Sequence, residues 1–276
     1  MRFLCPIDFS EASLNALDHA AHMASICQAH LTLMYVFDED EYLEVAKAAG
    51  NETHNLREQA EQKLKNLVKE IQHNDEVPNI TQVDYRLRLG DLVESIVGYA
   101  AKEATNLIIM GTTGVGSVEE AWLGSNTVKV FKEASCPVLC VPNAATFAPI
   151  RHLVYATDYE PNDQAALKKV VGFATEFKAR VEVLHIDEYQ STQNDVDYTN
   201  YVNHIQSYIT YDKLSFQRMK CDDDVAHCLD QYMNQKSADV LALVTHTRNL
   251  IQQLLHKSIT KNLAYFTDSP MLILKN

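Results

Sequence analysis

Glycine is scarce in this chain. There are eight in 276 residues, and four of them (Gly111, Gly114, Gly116 and Gly124) crowd into one short stretch. Positive charge is short as well. The 24 Lys and Arg face 37 Asp and Glu, the formal net charge is −13, and no segment is rich in Lys or Arg. That balance excludes duplex nucleic acid and anionic membrane surfaces as natural partners. No apolar run approaches the roughly 20 residues that span a bilayer. The opening Met1-Arg2-Phe3-Leu4-Cys5-Pro6-Ile7-Asp8 reaches an acid too early for a signal peptide, so a cytoplasmic location is expected. The six cysteines, at positions 5, 27, 136, 140, 221 and 228, include no C-x2-C pair, and buried, reduced thiols are expected. Cys136 and Cys140 stand four apart on a strand pattern, too distant to share a zinc ion.

The length is enough for two domains, each with its own core, and 46% hydrophobic with 22% charged residues is ordinary globular material. Phe3–Asp8 reads as a short strand ending in an acid. Ser10 is a natural N-cap for a helix whose Leu14, Leu17, Ala20, Ala21 and Ala24 recur at helical spacing. Leu31–Val36 is a second strand, followed by the acidic loop Asp38-Glu39-Asp40-Glu41. The next helix carries Leu56, Ala60, Leu64, Leu67 and Ile71 on one face. Ile80–Leu87 reads as a strand, Gly90-Asp91 opens a helix, Leu107–Met110 is a buried strand, and 126–133 is a helix. Val138–Val141 closes the unit. Five alternations of strand and helix predict a parallel sheet covered on both faces.

After a linker at 143–150 the pattern starts again. Asp8 and Val36 reappear as Asp158 and Ile186, 150 residues later; Ile96, Ser125 and Pro137 reappear as Leu229, Ser258 and Pro270, 133 residues later. The expected domains are 1–145 and 146–276, and Pro161 suits a first helical turn. The glycine loop does not repeat. At the same offset Gly111, Gly114 and Gly124 become Val244, Thr247 and Lys257, types that disfavour positive φ and crowd a backbone-lined anion site. His246, Arg248, His256 and Lys257 could instead hold an anion through side chains, or simply be exposed polar residues. Asp222-Asp223-Asp224 falls where Gly90-Asp91 stood and suits a helix N-terminus.

The loop itself has the form G-x2-G-x9-G-S, from Gly111 through Gly114 to Gly124-Ser125, between a buried strand and a helix N-terminus. That placement suits a phosphate, although the same glycines also fit a tight turn with no ligand. A Walker A loop is excluded because Ser117 stands where lysine is needed. A dinucleotide fingerprint fails at Glu119 and follows the wrong strand. Asp8 and Val36 end their strands at the same sheet edge, where Asp8 could accept from a base or ribose and Val36 could pack on a ring. Asp8 alone reads equally well as a cap for the next helix. No Ser/His/Asp or Cys/His arrangement is supported, and His19 and His22 read as surface or interface residues of the first helix.

Pro6-Ile7-Asp8-Phe9-Ser10-Glu11, the G-x2-G-x9-G-S loop and the G-S-x10-C-P-V-L-C-V ending together resemble the universal stress protein family, over nearly the whole chain as two tandem copies. The resemblance implies an α/β chain of two open five-stranded parallel-sheet domains, Rossmann-like and similar to the adenine-nucleotide alpha-hydrolases. The two would pack through their last strands as an intrachain pseudo-dimer, with a homodimer as a further step. It implies ATP or AMP as cofactor, with Mg2+ as a companion ion. Pro6, Ile7, Asp8 and Val36 would lie on the adenosine side and Met110, Gly111, Thr113 and Gly114 at the bend. Gly124, Ser125, Asn126 and Thr127 would surround the phosphates. The function implied is a cytoplasmic ATP-binding stress-response regulator with an unidentified protein partner. With no general base beside the loop, it would be at most a slow ATPase. The alternatives are a true nucleotide hydrolase or transferase, and an interaction module that binds no nucleotide.

Overall fold

The apolar runs become strands that pair in parallel within each half of the chain. The computed structural model describes residues 1–38, 52–77, 80, 82–112, 124–159, 163–188, 195–245 and 268–275. The described residues divide into two compact units, one up to Phe147 and the other from Ala148 onward.

In the first unit the elements are β1 Arg2–Pro6, α1 Glu11–Cys27, β2 His30–Phe37, α2 Glu52–Gln72, β3 Val83–Leu89, α3 Leu92–Lys102, β4 Leu107–Gly111, α4 Ser125–Glu133 and β5 Val138–Val141. The strand order is β3-β2-β1-β4-β5, every neighbouring pair parallel. The chain runs outward from β1 to β3 and then returns to the other side with β4. The order therefore reverses between β1 and β4, the kind of switch point where open parallel sheets take ligands.

The second unit repeats this with β6 His152–Ala156, α5 Asp163–Phe177, β7 Arg180–Glu188, α6 Asp195–Tyr208, β8 Leu214–Cys221, α7 Val225–Lys236, β9 Val240–Val244 and β10 Met271–Leu274, in the order β8-β7-β6-β9-β10. The registers superimpose. Phe3 pairs with Leu107 as Leu153 pairs with Val240, and Ile108 pairs with Val138 as Leu241 pairs with Met271. Between the third strands the offset is 131, since Val83 pairs with Leu31 and Leu214 with Val181. The shortening of the second copy is therefore complete before β8, and the turn ahead of α7 gives two residues back.

Local chemistry explains the elements. Ser10 caps α1, its Oγ accepting from the Ser13 amide at 3.2 Å. The buried stripe of α1 is mostly alanine (Ala12, Ala16, Ala20, Ala21 and Ala24), while Leu14 is 39% exposed and does not belong to the core face expected for it. Small residues let this helix come close to the sheet. Leu31, Leu33 and Leu64 are fully buried, each contributing roughly 1.5–3 kcal/mol. Asp91 and Asp224 occupy the same place in the two copies and both are N-caps, of α3 and α7; Gly90 before the first supplies φ +130°. Strand boundaries shift by up to three residues: β1 ends at Pro6 and β3 starts at Val83.

One expectation is overturned. Cys221 and Cys228 are joined by a disulfide, with Cα atoms 6.1 Å apart, because the end of β8 and the first turn of α7 face each other across Asp222-Asp223-Asp224. Cys5, Cys27, Cys136 and Cys140 are free. Burial pushes the Cys136 thiol up to about 11 and the Cys140 thiol up to about 12, so neither offers a ready thiolate. No helix among the described residues is long and apolar enough to cross a membrane.

Candidate functional site

Several sequence-predicted residues converge at the edge where β1, β2 and β4 end. Pro6 closes β1 and Ile7 is buried, its amide donating to the Met34 carbonyl at 2.8 Å. The Asp8 side chain is exposed, and its Oδ1 accepts from the Ser10 amide at 3.0 Å and the Ser10 hydroxyl at 2.5 Å. Asp8 thus steadies the residue that caps α1. Val36 is half-buried near the end of β2, and Met110 is buried in β4.

Gly111 is at the end of β4, but neither a positive φ nor a turn calls for glycine there. An added Cβ would lie 2.7 Å from the Ala12 carbonyl oxygen. Its glycine serves the close approach of α1. Thr113 and Gly114 lie outside the described residues. The two ends of that loop meet, the Gly124 amide donating to the Thr112 carbonyl. Gly124 is the N-cap of α4 and supplies no side-chain cap; Ser125 and Asn126 in the first turn are exposed. Thr127 is buried, and its hydroxyl donates to the Gly111 carbonyl at 3.0 Å, tying α4 to the end of β4. The arrangement puts a helix N-terminus whose cap residue has no side chain beside the end of β4, a setting that favours an anion. Among the described residues no group of three or more His, Cys, Asp or Glu is placed to hold a metal ion.

The first helix holds a correction. His19 is 3% exposed, and Phe147 covers both it and His22, the His22 and Phe147 rings stacking at 4.4 Å. These histidines are packing residues under the end of the first unit. His246, Arg248, His256 and Lys257 lie outside the described residues, as do Pro161 and the acidic loop beyond Asp38.

In the second unit the corresponding edge is polar inside. Asp163 is 5% exposed and accepts from the hydroxyls of Tyr155 at 3.0 Å, Tyr201 at 3.1 Å and Thr157. Arg218 donates to Asp187 through Nε at 2.5 Å and Nη2 at 3.1 Å, and the ring of Tyr159 lies on His185. Burial is the largest influence on the Tyr201 phenol and raises it strongly, with the Asp163 charge adding to the shift. Sequence reasoning missed this network. The signal was present at the 150-residue offset, where Cys5, Ile7 and Ser13 turn into Tyr155, Thr157 and Asp163. It also missed the aromatic group Phe9, Tyr35 and Phe37 of the first unit, whose rings pack in series.

Fold and site together define a tandem doubly wound α/β protein with a glycine-capped helix at its switch-point edge. The universal stress protein family profile matches residues 1–142 and again 149–275. The chain belongs to the universal stress protein family. Over 142 residues it is 30% identical to universal stress protein MJ0531 of Methanocaldococcus jannaschii, covering 51% of this chain and 81% of that protein. Universal stress protein MJ0577 of the same organism is also 30% identical, over 162 residues, 51% of this chain and 93% of that protein. Among solved structures, a universal stress protein from Archaeoglobus fulgidus DSM 4304 aligns at a TM-score of 0.72 with 15% identity, covering 99% of this chain and 98% of that one. That alignment shows a shared fold.

Proposed function

We propose that the first repeat binds an adenine nucleotide, ATP or AMP, and that the occupied state regulates a stress response by changing the chain's choice of protein partner. The observation that carries this is α4. It starts at Gly124 without a side-chain cap, exposes Ser125 and Asn126, and is tied through Thr127 to the end of β4, at the same sheet edge where β1 and β2 end before Asp8 and near Val36. Backbone amides at a helix N-terminus and the positive end of the helix dipole suit a phosphate, and a carboxylate with an apolar neighbour suits a nucleoside. Membership of the family supports a nucleotide over other anions. Two repeats in one chain are consistent with an intrachain pseudo-dimer, and an acidic chain with no basic block is consistent with a cytoplasmic regulator.

Titration calorimetry of ATP and AMP against the full chain and its Gly124→Lys variant tests the site. Lysine stands at this position in the second copy, so the fold should survive. The expected result is saturable one-site binding that the variant loses. Equal affinity in both proteins would remove the assignment.

A further inference from the structure

The connection between the repeats begins strapped to α1. Beyond β5 the chain turns, the Ala145 amide donating to the Pro142 carbonyl at 3.1 Å. Asn15 of α1 clasps that turn. Its Nδ2 donates to the carbonyls of Pro142 at 2.8 Å and Ala145 at 2.9 Å, with the Asn143 carbonyl at 3.4 Å. Phe147 then lies over the helix, its ring stacked on His22 at 4.4 Å and in T-shaped contact with His19 at 5.6 Å. The second copy makes a simpler tie. Asn15 and His19 become Ala165 and Lys169 there, and Lys169 Nζ donates to the carbonyl of Lys275, the counterpart of Pro142.

His19 sits beneath this strap, 3% exposed. Its Nδ1 is 3.0 Å from the Asn15 carbonyl. A carbonyl can only accept, so Nδ1 carries the proton and Nε2 is the basic nitrogen. Nε2 is buried and has no hydrogen-bond partner among the described residues. A proton there would put a charge and an N–H donor out of reach of water, which is costly unless the site opens. Lifting Phe147 hydrates it. Asn15 joins the two parts, since His19 holds its carbonyl while its amide holds the turn.

Few other charges bear on this ring. Burial is the largest influence and lowers it below the ordinary 6.5, with the Asn15 carbonyl and Asp18 opposing and His22 adding to the shift. The strap, 142–147, carries no ionisable side chain. On the strands under α1 the ionisable groups are Arg2, Cys5, His30, Tyr35 and Cys140. Arg2 pairs with Glu103, His30 with Asp84, Tyr35 stacks on Phe9, and burial raises both thiols. His22 is not the trigger. It stands beside Asp18, Nδ1 to Oδ1 3.4 Å, and a charged imidazole stacked on Phe147 would gain from the ring face.

We propose that residues 142–147 form an acid-released latch, closed on α1 while His19 is neutral and opened when Nε2 is protonated, so that mild acid frees the start of the connection between the repeats.

The test places para-fluorophenylalanine at position 147 of the full-length protein and follows it by fluorine NMR from about pH 8 to about pH 5, with the His19 ring titrated in parallel. The fluorine signal should move to the position of an exposed ring in one transition, at the same midpoint as His19 and below 6.5. His19→Asn, whose amide can stand where Nδ1 does, should keep the strap closed throughout. His22→Gln should keep the transition, and Phe147→Ala should raise the His19 midpoint toward 6.5. A fluorine signal that stays put, or moves alike in His19→Asn, overturns the proposal. So does a transition lost in His22→Gln, or a His19 midpoint that Phe147→Ala leaves unchanged. Simultaneous loss of the native signals of Leu107–Gly111 also overturns it, because the unit would then be unfolding as a whole. If His19→Asn does not fold, the unmodified protein decides, and separate midpoints for His19 and position 147 overturn the latch.

Discussion

The Cβ that Gly111 lacks would sit 2.7 Å from the carbonyl oxygen of Ala12 and 2.8 Å from its carbonyl carbon. Backbone cannot yield as a side-chain tip can, so the first turn of α1 packs directly against the end of β4 and leaves no room for a methyl group. The glycine that opens the loop is there for helix-to-strand contact, while the glycine that closes it, Gly124, caps α4 without a side chain.

Gly111→Ala should therefore destabilise the first unit by about 1–3 kcal/mol, the usual cost of overpacking. Urea denaturation of the full chain, followed by a probe in the first unit, measures it. Stability equal to the parent would mean that α1 shifts freely. The valine at the matching position of the second copy, Val244, gives no licence for a larger residue here, because the 2.7 Å approach belongs to the first unit's own α1.

Tyr201→Phe removes one of the hydroxyls that donate to the buried Asp163 while keeping the ring. With the shape preserved, the loss isolates a hydrogen bond to a carboxylate, about 1.5–3 kcal/mol. Calorimetry should show the second unit's transition falling and the first unit's unchanged. A melting profile identical to the parent's would show that Asp163 is held adequately by its other partners.

The second unit should also lose stability on acidification. His152 is 2% exposed, and Arg180 Nη2 donates to its Nδ1 at 2.9 Å, which requires a neutral ring. Burial, then the Arg180 charge, lower its pKa, against smaller opposing contributions from Glu182 and Asp239. The unfolded chain thus takes up this proton first. Stability is fully present above the ordinary imidazole value of 6.5 and is lost as pH falls through the window below it. Melting temperature measured from pH 7 downward should drop, and His152→Gln should flatten part of the slope. A variant with the parent's slope would place the pH dependence elsewhere, with His19, also lowered by burial, as the matching group in the first unit.

The chain's architecture was legible because it rests on local pattern. Apolar runs such as Leu107–Met110, the cap at Ser10 and the acids at Asp91 and Asp224 each act within a few residues. The 150 and 133 offsets between copies carry the register directly. Leu14 and Leu56, both exposed, were misjudged because helical spacing places a residue on a face without saying how close the sheet comes. The Cys221–Cys228 disulfide was missed because no C-x2-C spacing announces it.

By itself, the sequence determined two copies of one strand-and-helix order, and a glycine loop kept only in the first. Tertiary structure decided what those residues are for. It turned Gly111 from a loop residue into a contact with α1, bound Thr127 to the Gly111 carbonyl, and set the Phe9 ring on Tyr35 with the Lys63 ammonium 5.1 Å from its centroid. The physical reason is range. Propensity and periodicity act over a few residues, whereas close approach and ring stacking depend on distances between elements far apart in the chain.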